Sequence, residues 1–414
     1  MGDPVAELPP PQTKALGSSS RRAAILGAMF LMATSAIGPG FITQTTTFTV
    51  QLGAAFAFAI LASILVDIAV QLNVWRVIGV SGLRANELGN KVLPGIGWAL
   101  SALVVLGGMV FNIGNVAGTG LGVKAMSVNQ IDPRIGAAVS AALAIVIFMV
   151  KRAGAIVDRI VVFLGVLMIL LTLYIAITTN PPVGAVLVNT VLPEKVDFVV
   201  ITTLIGGTVG GYITYAGAHR LLDSGTTGPE NAQNVSRSSI SGVIITGIMR
   251  VLLFLAILGV VASGKTLDKA NPAASAFEQA AGTAGLVIFG VIFWAAAVTS
   301  VIGASYTSVS FLTTSKTSER TRNLLTVGFI VIATIVFVTA GAAPAQLLVF
   351  AGAFNGLILP IGFTLILWVA WKRRDLLAGY AYPAWLLIIG VLAWLLTLYL
   401  GYQTFTSNIL KLLA

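Results

Sequence analysis

Cysteine is absent from this 414-residue chain, and histidine occurs once, at His219. Without thiols the protein can form neither disulfide bonds nor thiolate-ligated metal sites. One imidazole also excludes a metal centre built from several histidines. The same scarcity argues against an enzyme, because one histidine and a single acid well inside an apolar segment, Asp67, do not readily form a nucleophile–base pair. We therefore expect neither a catalytic site nor a cofactor.

Charge is also scarce, since Asp, Glu, Lys and Arg make up 9% of the residues and hydrophobic residues make up 57%. A soluble domain carries about 25% charged residues, so this chain cannot cover a water-facing surface. Its apolar runs reach the ~20 residues that a membrane-spanning helix needs. They lack the short alternating segments of a membrane β-barrel. The composition predicts an all-α membrane protein in a lipid bilayer.

The net charge of +10 comes from cations in short loops between the apolar runs. This is a topology signal and not a nucleic-acid interface. We predict eleven spans, at 24–45, 53–73, 97–122, 135–150, 155–178, 198–221, 240–263, 283–308, 323–342, 346–371 and 381–402. With a cytoplasmic N-terminus, the inner segments and span ends hold seventeen Lys and Arg and the outer segments hold six. We therefore expect a prokaryotic inner membrane, with the C-terminus outside and the chain a monomer.

Residues 1–23 are polar and contain three consecutive prolines and a Gly-Ser-Ser-Ser run. No apolar region with a cleavage site follows directly, which argues against a signal peptide. We predict a disordered cytoplasmic tail here. The membrane domain then comprises residues 24–414.

The first and sixth predicted spans have interrupted helical patterns. The first contains "IGPGFITQTTTFT" (37–49), and the sixth contains "TLIGGTVGGYITYAG" (203–217), with four glycines in six residues. Each glycine inside a helix costs about 1 kcal/mol relative to alanine. Matching breaks in two five-span halves, about 24–178 and 198–371, point to an inverted-repeat transporter with a midplane site, followed by an extra helix at 381–402. The alternative is that the glycines only let helices pack closely.

Three motifs give the chain a family resemblance: "GPGF" (38–41), "GTVGGYITYAGA" (207–218) and "LILPIGF" (357–363). They resemble the first, sixth and tenth helices of the Nramp family of proton-coupled divalent-metal transporters. The resemblance covers most of the eleven spans in order. It implies the LeuT fold, with a 5+5 inverted repeat, broken helices 1 and 6, and secondary transport by alternating access.

The departures from the family pattern concern its metal ligands. The family's first-helix signature is D-P-G-N, whose Asp and Asn bind metal, but no acid lies between Glu7 and Asp67 here. The sixth-helix M-P-H aligns with Gly210, Gly211 and Tyr212, and the third-helix acids align with Asn112 and Asn115. A divalent cation in a dry site needs carboxylate, imidazole or thioether ligands. We therefore interpret the usual transition-metal site as lost.

Arg250 lies near the centre of the seventh span, in "ITGIMRVLLFLAILGV". A central arginine costs ~2.5–3.5 kcal/mol on insertion scales and usually faces a pathway or a partner. Its planar fork suits a carboxylate, and a nearby half-helix N-terminus adds potential of the same sign. Two alternatives remain open, an ion pair with Asp67 and a fixed charge that replaces a coupling cation.

Other polar residues complete the predicted substrate site. Gln44, Thr45 and Thr46 offer donors and acceptors in the first break, and the Tyr212 hydroxyl can donate to an anionic oxygen. By resemblance, Ser305 and Tyr306 in span eight and Asn355 in span ten also line the site, although such residues often only hold helices together. We predict a small polar organic solute, such as a carboxylate, as substrate. The rivals are a divalent cation (Mg²⁺ or Mn²⁺) held by neutral oxygens, and a channel.

Overall fold

Residues 37–150, 153–223, 225, 227–313, 317–340 and 343–406 are described by a computed structural model of the protein. The predicted tail and the first part of the first span lie outside these residues. Fourteen α-helices lie within them: α1 Pro39–Leu52, α2 Phe56–Ser81, α3 Ala85–Val92, α4 Ile96–Met126, α5 Pro133–Met149, α6 Ala153–Thr178, α7 Val183–Val191, α8 Phe198–Thr208, α9 Ile213–Asp223, α10 Ala232–Ala262, α11 Pro272–Ser310, α12 Glu319–Ala340, α13 Pro344–Lys372 and α14 Ala384–Thr404.

Each of the eleven predicted spans overlaps a described helix. By length and composition, eight helical segments of the described residues could cross a membrane, with α1 and α2 counted as one segment and α8 and α9 as another. The number is nine if α6 and α7, which are bent by 107° relative to each other, form one more span. The shorter apolar helix α5 corresponds to the fourth predicted span. The architecture is therefore the predicted all-α membrane fold.

The two halves of the chain share an arrangement of helices that an inverted repeat predicts. In the first half, the short helix α3 separates the long helices α2 and α4. In the second half, α11 begins with a short segment that ends at a kink, where Ala281 and Gly282 leave helical geometry. Gly282 has φ 64°, a conformation that glycine adopts without strain. A short helix therefore follows the second span in both halves.

The predicted break in the sixth span is present. Helix α8 begins at Phe198, where the Asp197 carboxylate accepts hydrogen bonds from the Val199 and Val200 amides at 3.0 and 3.1 Å. It ends at Thr208, and α9 begins at Ile213. The break between them, residues 209–212, exposes backbone groups that lipid cannot satisfy. One of them, the Gly211 amide, donates to the Asn355 carbonyl of α13 at 2.9 Å.

The polar stretch of the first span is helical, contrary to the sequence prediction. Within the described part of the first predicted span, only Ile37 and Gly38 are non-helical, and α1 runs without interruption from Pro39 to Leu52. Proline is favoured at the first helical position, so Pro39 starts this helix. The placement of Gln44, Thr45 and Thr46 in an unwound stretch is therefore wrong. The two threonine hydroxyls donate back to carbonyls four residues earlier, at 2.7 and 2.9 Å, which satisfies them inside the helix.

Two of the four glycines in the sixth span serve close packing. A Cβ on Gly206 would overlap the Gly352 carbonyl and the backbone of Gly356, both in α13. A Cβ on Gly207 would overlap the Gln44 amide of α1. Small residues let helix backbones approach in this way. The packing alternative therefore holds for Gly206 and Gly207, and the break itself begins two residues later.

Candidate functional site at the helix breaks

Gln44 lies between α1, α8 and α13 and is fully buried. Its Nε2 donates to the Leu348 carbonyl of α13 at 3.1 Å. Its Oε1 lies against Gly207, one residue before the end of α8, and has no hydrogen-bond partner among the described residues. A buried acceptor without a donor is costly, so Gln44 Oε1 is a candidate acceptor for a ligand or a water.

Asn355 connects the break to two long helices. Its Nδ2 donates to the Gly107 carbonyl of α4 at 3.0 Å and to the Ala351 carbonyl of its own helix at 2.9 Å. Its Oδ1 lies beside Gly107 and Gly211, and within the described ranges it has no partner. Asn355 therefore offers a second buried acceptor, held directly at the break.

Tyr212 closes the break on the side of α4. Its ring centroid is 5.4 Å from that of Phe111, at an interplanar angle of 59°. Phe111 also approaches Gly40 in the first turn of α1. The aromatic pair therefore spans the space between the first and sixth helices, and Tyr212 lies where the sequence places it.

Asn112 and Asn115 form a buried polar strip between α4 and α11. Asn112 Nδ2 donates to Ser305 Oγ at 2.9 Å, and that hydroxyl donates to the Val301 carbonyl at 2.7 Å. The Asn112 Oδ1 and both amide atoms of Asn115 lack partners in the described part of the chain. Ser308 Oγ also lacks a hydrogen-bond partner among the described residues, and it lies against Gly108. These amides and hydroxyls form a buried, neutral polar cluster, and Gly108 connects it to the Tyr212 ring at the break.

Arg250 is buried in α10, with 2% of its surface exposed. Its guanidinium carbon lies 4.4 Å from the centroid of the Phe41 ring, in the first turn of α1. Among the described residues, its Nε and Nη2 have no hydrogen-bond partner. Within the described ranges, two of the three guanidinium nitrogens of this buried cation therefore lack a partner, and they lie beside the first turn of a 14-residue helix.

Asp67, the partner that one of the two alternatives assigns to Arg250, contacts a different residue. Its Oδ2 contacts Thr208 Oγ1 at 2.6 Å, and its Oδ1 has no partner within the described ranges. The carboxylate and the guanidinium interact through space, but within the part of the chain that the structure describes they form no ion pair. The ion-pair alternative is therefore not observed.

Three predicted site residues are placed less favourably. Tyr306 lies on the side of α11 that faces α5 and α12. Its ring centroid is 6.3 Å from that of Phe148 in α5 and 5.8 Å from the Arg322 guanidinium carbon of α12. The hydroxyls of Thr45 and Thr46 are used by their own helix. The structure therefore brings Gln44, Gly211, Tyr212 and Asn355 together and leaves Tyr306 apart.

Sequence reasoning missed the residues that shape the site without polar side chains. Gly107 and Gly108 leave room for Asn355 and Ser308, and Phe41 lies beneath Arg250. The Gly-Gly pair in the third span was the available signal. No group of three or more His, Cys, Asp or Glu side chains in the described residues is arranged to hold a metal ion.

Comparisons with known proteins cover nearly the whole chain. A model of the natural resistance-associated macrophage protein-like (Nramp) family matches residues 29–407. The uncharacterized membrane protein YcsG of Bacillus subtilis is 51% identical over 389 residues, which are 94% of this chain and 95% of that protein. An uncharacterized membrane protein of Haemophilus influenzae is 53% identical over 390 residues, or 94% and 97% of the two chains.

Solved structures share the fold at low sequence identity. A mutant form of the Eremococcus coleocola manganese transporter superposes with a TM-score of 0.67 at 16% identity, over 97% of this chain and 91% of that one. MhsT in complex with L-phenylalanine gives a TM-score of 0.66 at 18% identity, over 92% and 98% of the chains. The fold is therefore the LeuT fold, and it is shared by proteins with unlike ligands.

Proposed function

Since this chain belongs to the Nramp family of membrane transporters, we propose that it carries a small polar organic solute, above all a carboxylate, by alternating access. The substrate would lie between the first and sixth helices, against Gln44, Tyr212 and Asn355. Arg250 would provide its counter-charge. The metal site typical of the family would accordingly be lost.

The lack of partners for two guanidinium nitrogens of Arg250 among the described residues is the observation that carries this proposal. A buried charge is stable only when it is paired or hydrogen-bonded, and Nε and Nη2 have no partner in the described residues. A carboxylate can accept from two guanidinium N–H groups at once. The N-terminus of α1, in whose first turn Phe41 lies beside Arg250, adds a positive potential. The same field repels a divalent cation.

The positions that bear metal ligands in the family support the same proposal. Gly38 and Phe41 stand at the ends of the motif where the family has Asp and Asn. Gly210, Gly211 and Tyr212 stand where it has Met, Pro and His. None of these side chains can supply the anionic, imidazole or thioether ligand that offsets dehydration of a transition-metal ion. Uptake of manganese or iron through such a site would be unfavourable.

One observation favours a second candidate, a divalent-cation transporter. Gln44 Oε1 and Asn355 Oδ1 are buried oxygens without donors among the described residues, and hard cations such as Mg²⁺ take oxygen ligands and keep several waters. The fold does not discriminate, because the manganese transporter and the L-phenylalanine complex resemble this chain equally well. The charge at Arg250 is what favours the organic anion.

Thermal unfolding of the purified protein would separate the two candidates. Two ligand panels, divalent metals and small organic acids, are tested against the wild type and Arg250→Gln. A ligand at a hundredfold excess over its Kd stabilises by about 2.7 kcal/mol. We expect stabilisation by an organic acid that is lost in Arg250→Gln. Stabilisation by Mg²⁺ or Mn²⁺ that persists in the variant, without any effect of the acids, contradicts the proposal.

Arg76→Gln is the matched control. Arg76 is also a buried arginine, but its Nε and Nη2 donate to Ser236 Oγ at 3.0 and 2.6 Å. Its Nη1 donates to the Tyr380 hydroxyl at 3.4 Å. Removing this charge should lower the unfolding temperature of the free protein. The shift that an organic acid produces should remain, because Arg76 is committed to its own partners.

A further inference from the structure

Asp67 is the buried acid of α2, and it contacts the end of α8. Its Oδ2 lies 2.6 Å from the hydroxyl oxygen of Thr208, the last residue before the break. The same hydroxyl lies 2.8 Å from the Leu204 carbonyl of its own helix. The side chain of Asp67 is 3% exposed. Two short oxygen–oxygen contacts therefore meet at one hydroxyl group.

The protons available for these contacts can be counted. A threonine hydroxyl has one proton, which it can donate with good geometry to one acceptor. The Leu204 carbonyl brings none. If Asp67 carries a proton on Oδ2, it donates to Thr208 Oγ1, and Thr208 donates to Leu204. Both short contacts are then hydrogen bonds, whereas an ionised Asp67 leaves one of them without a proton.

The cost of burying a charge also indicates that Asp67 carries a proton. An ionised carboxylate in this setting would be buried with one hydrogen bond, since its Oδ1 has no partner among the described residues. It also makes no ion pair with Arg250 in the described chain. Burial of a charge with so little compensation is costly, and neutralisation by a proton removes that cost.

We propose that Asp67 is a proton-binding site, protonated in this conformation, and that its proton controls the hydrogen bonding of the last turn of α8, next to the break. The proton site stands on the geometry alone, and its role in coupling rests on the proposed function. Loss of the proton to water leaves a carboxylate that no longer donates to Thr208. The Thr208 hydroxyl then donates to the carboxylate instead, and the Leu204 carbonyl in the last turn of α8 loses its hydrogen bond from Thr208.

Helix α2 holds the break from both sides, which is why this contact matters. Asp67 holds Thr208 before the break, and the Trp75 indole Nε1 donates to the Thr214 carbonyl after it, at 2.9 Å. The indole cannot change its charge. The direction of the bond on the α8 side therefore depends on a proton on Asp67, and the bond on the α9 side does not.

The other ionisable groups around α2 do not compete for this role. Arg250 of α10 is the described charge that acts on Asp67. The Tyr215 hydroxyl of α9 faces Gly362 of α13, and the His219 ring stacks on Phe311 at 4.4 Å. Helices α7 and α8 contain no ionisable side chain, and Tyr382, before α14, donates to Asn73.

Infrared spectroscopy of the purified protein in lipid would detect the proton without any substrate. At neutral pH we expect a C=O stretching band of a neutral carboxylic acid that is lost in Asp67→Asn. It should remain in Asp375→Asn, which removes an exposed acid paired with Arg373. In Thr208→Val the band should persist at a shifted frequency, because its acceptor is gone. Identical spectra of the wild type and Asp67→Asn overturn the proton site.

Hydrogen–deuterium exchange in the peptide 203–217 would test the control of the break. In the wild type, raising the pH should increase exchange beyond the intrinsic chemical trend. In Asp67→Asn, which stays neutral, this extra increase should disappear. An unchanged pH response in Asp67→Asn overturns the control of α8. Neither measurement uses a ligand, so failure of organic acids to stabilise the protein would contradict the proposed function and leave the proton site standing.

Discussion

Gly206 of α8 and Gly352 of α13 meet backbone to backbone, so that a Cβ on Gly206 would overlap the Gly352 carbonyl oxygen. Gly356, one turn further along α13, meets the Thr202 carbonyl in the same way. The half-helix before the break is thereby held on α13 at a distance that only glycines allow. Backbones packed this closely strengthen van der Waals contact between helices in lipid, where no hydrophobic force draws them together.

Gly206→Ala should therefore destabilise the protein. Overpacking of a close contact typically costs about 1–3 kcal/mol, because a backbone carbonyl cannot move aside as a flexible side chain can. The measurement is the thermal unfolding temperature in detergent. Gly184→Ala is the control, because a Cβ on Gly184 in α7 would meet nothing within 4 Å. Equal unfolding temperatures of the two variants would contradict the close approach of α8 and α13.

Arg250→Lys should weaken binding of an organic acid without abolishing it. Lysine keeps the positive charge but has no planar fork, so one of two parallel hydrogen bonds is lost. Loss of about 1.4 kcal/mol corresponds to a tenfold rise in Kd. Ligand titration of the unfolding temperature gives that Kd. Affinity equal to the wild type would show that charge alone, and not the fork, holds the anion.

Gln44→Glu should shift the ligand preference of the site towards cations. The substitution places an anionic oxygen where Oε1 now lies, beside Gly207 and the end of α8. Like charges repel a carboxylate substrate, and a divalent cation gains a ligand of the kind it prefers. We expect stabilisation by organic acids to fall and stabilisation by Mg²⁺ or Mn²⁺ to rise. Gln130→Glu, in the exposed loop between α4 and α5, is the control and should alter neither response.

The proposed cytoplasmic N-terminus can be tested by cysteine labelling, because the natural chain contains no cysteine. Lys265, between α10 and α11, is predicted outside, and Lys91, near the end of α3, is predicted inside. In intact cells a membrane-impermeant maleimide should label Lys265→Cys, and it should reach Lys91→Cys only after permeabilisation. The unmodified chain, which has no cysteine, gives the background labelling. Reversed labelling of the two variants would invert the proposed topology.

The spans and the sixth-helix break could be predicted from the sequence because each depends on the residue types within one short segment. Long apolar runs fix the spans, and the glycines around Val209 mark the break. The position of Gln44 could not be predicted in this way. A threonine-rich stretch that satisfies its hydroxyls inside a helix looks, as a pattern, like a polar interruption.

The residues that Arg250 and Asp67 contact could not be predicted from the sequence either. Opposite charges inside spans suggest an ion pair, yet Asp67 contacts Thr208 and Arg250 lies over Phe41. Which groups meet is decided by the packing of α2, α8 and α10, and no local pattern encodes it. Tyr306 was misplaced for a related reason, since the face of α11 that it occupies depends on where α5 and α12 pack.

The hydrogen bond from the Gly211 amide to the Asn355 carbonyl determines which helices can move together. Main-chain groups cannot turn away as side chains can, so this bond is a stiff link between the break and α13. An opening motion that preserves the bond must carry α13 with α8 and α9 as one body. A motion that leaves α13 behind must first break the bond in a medium where no water replaces it, and that step would act as a latch.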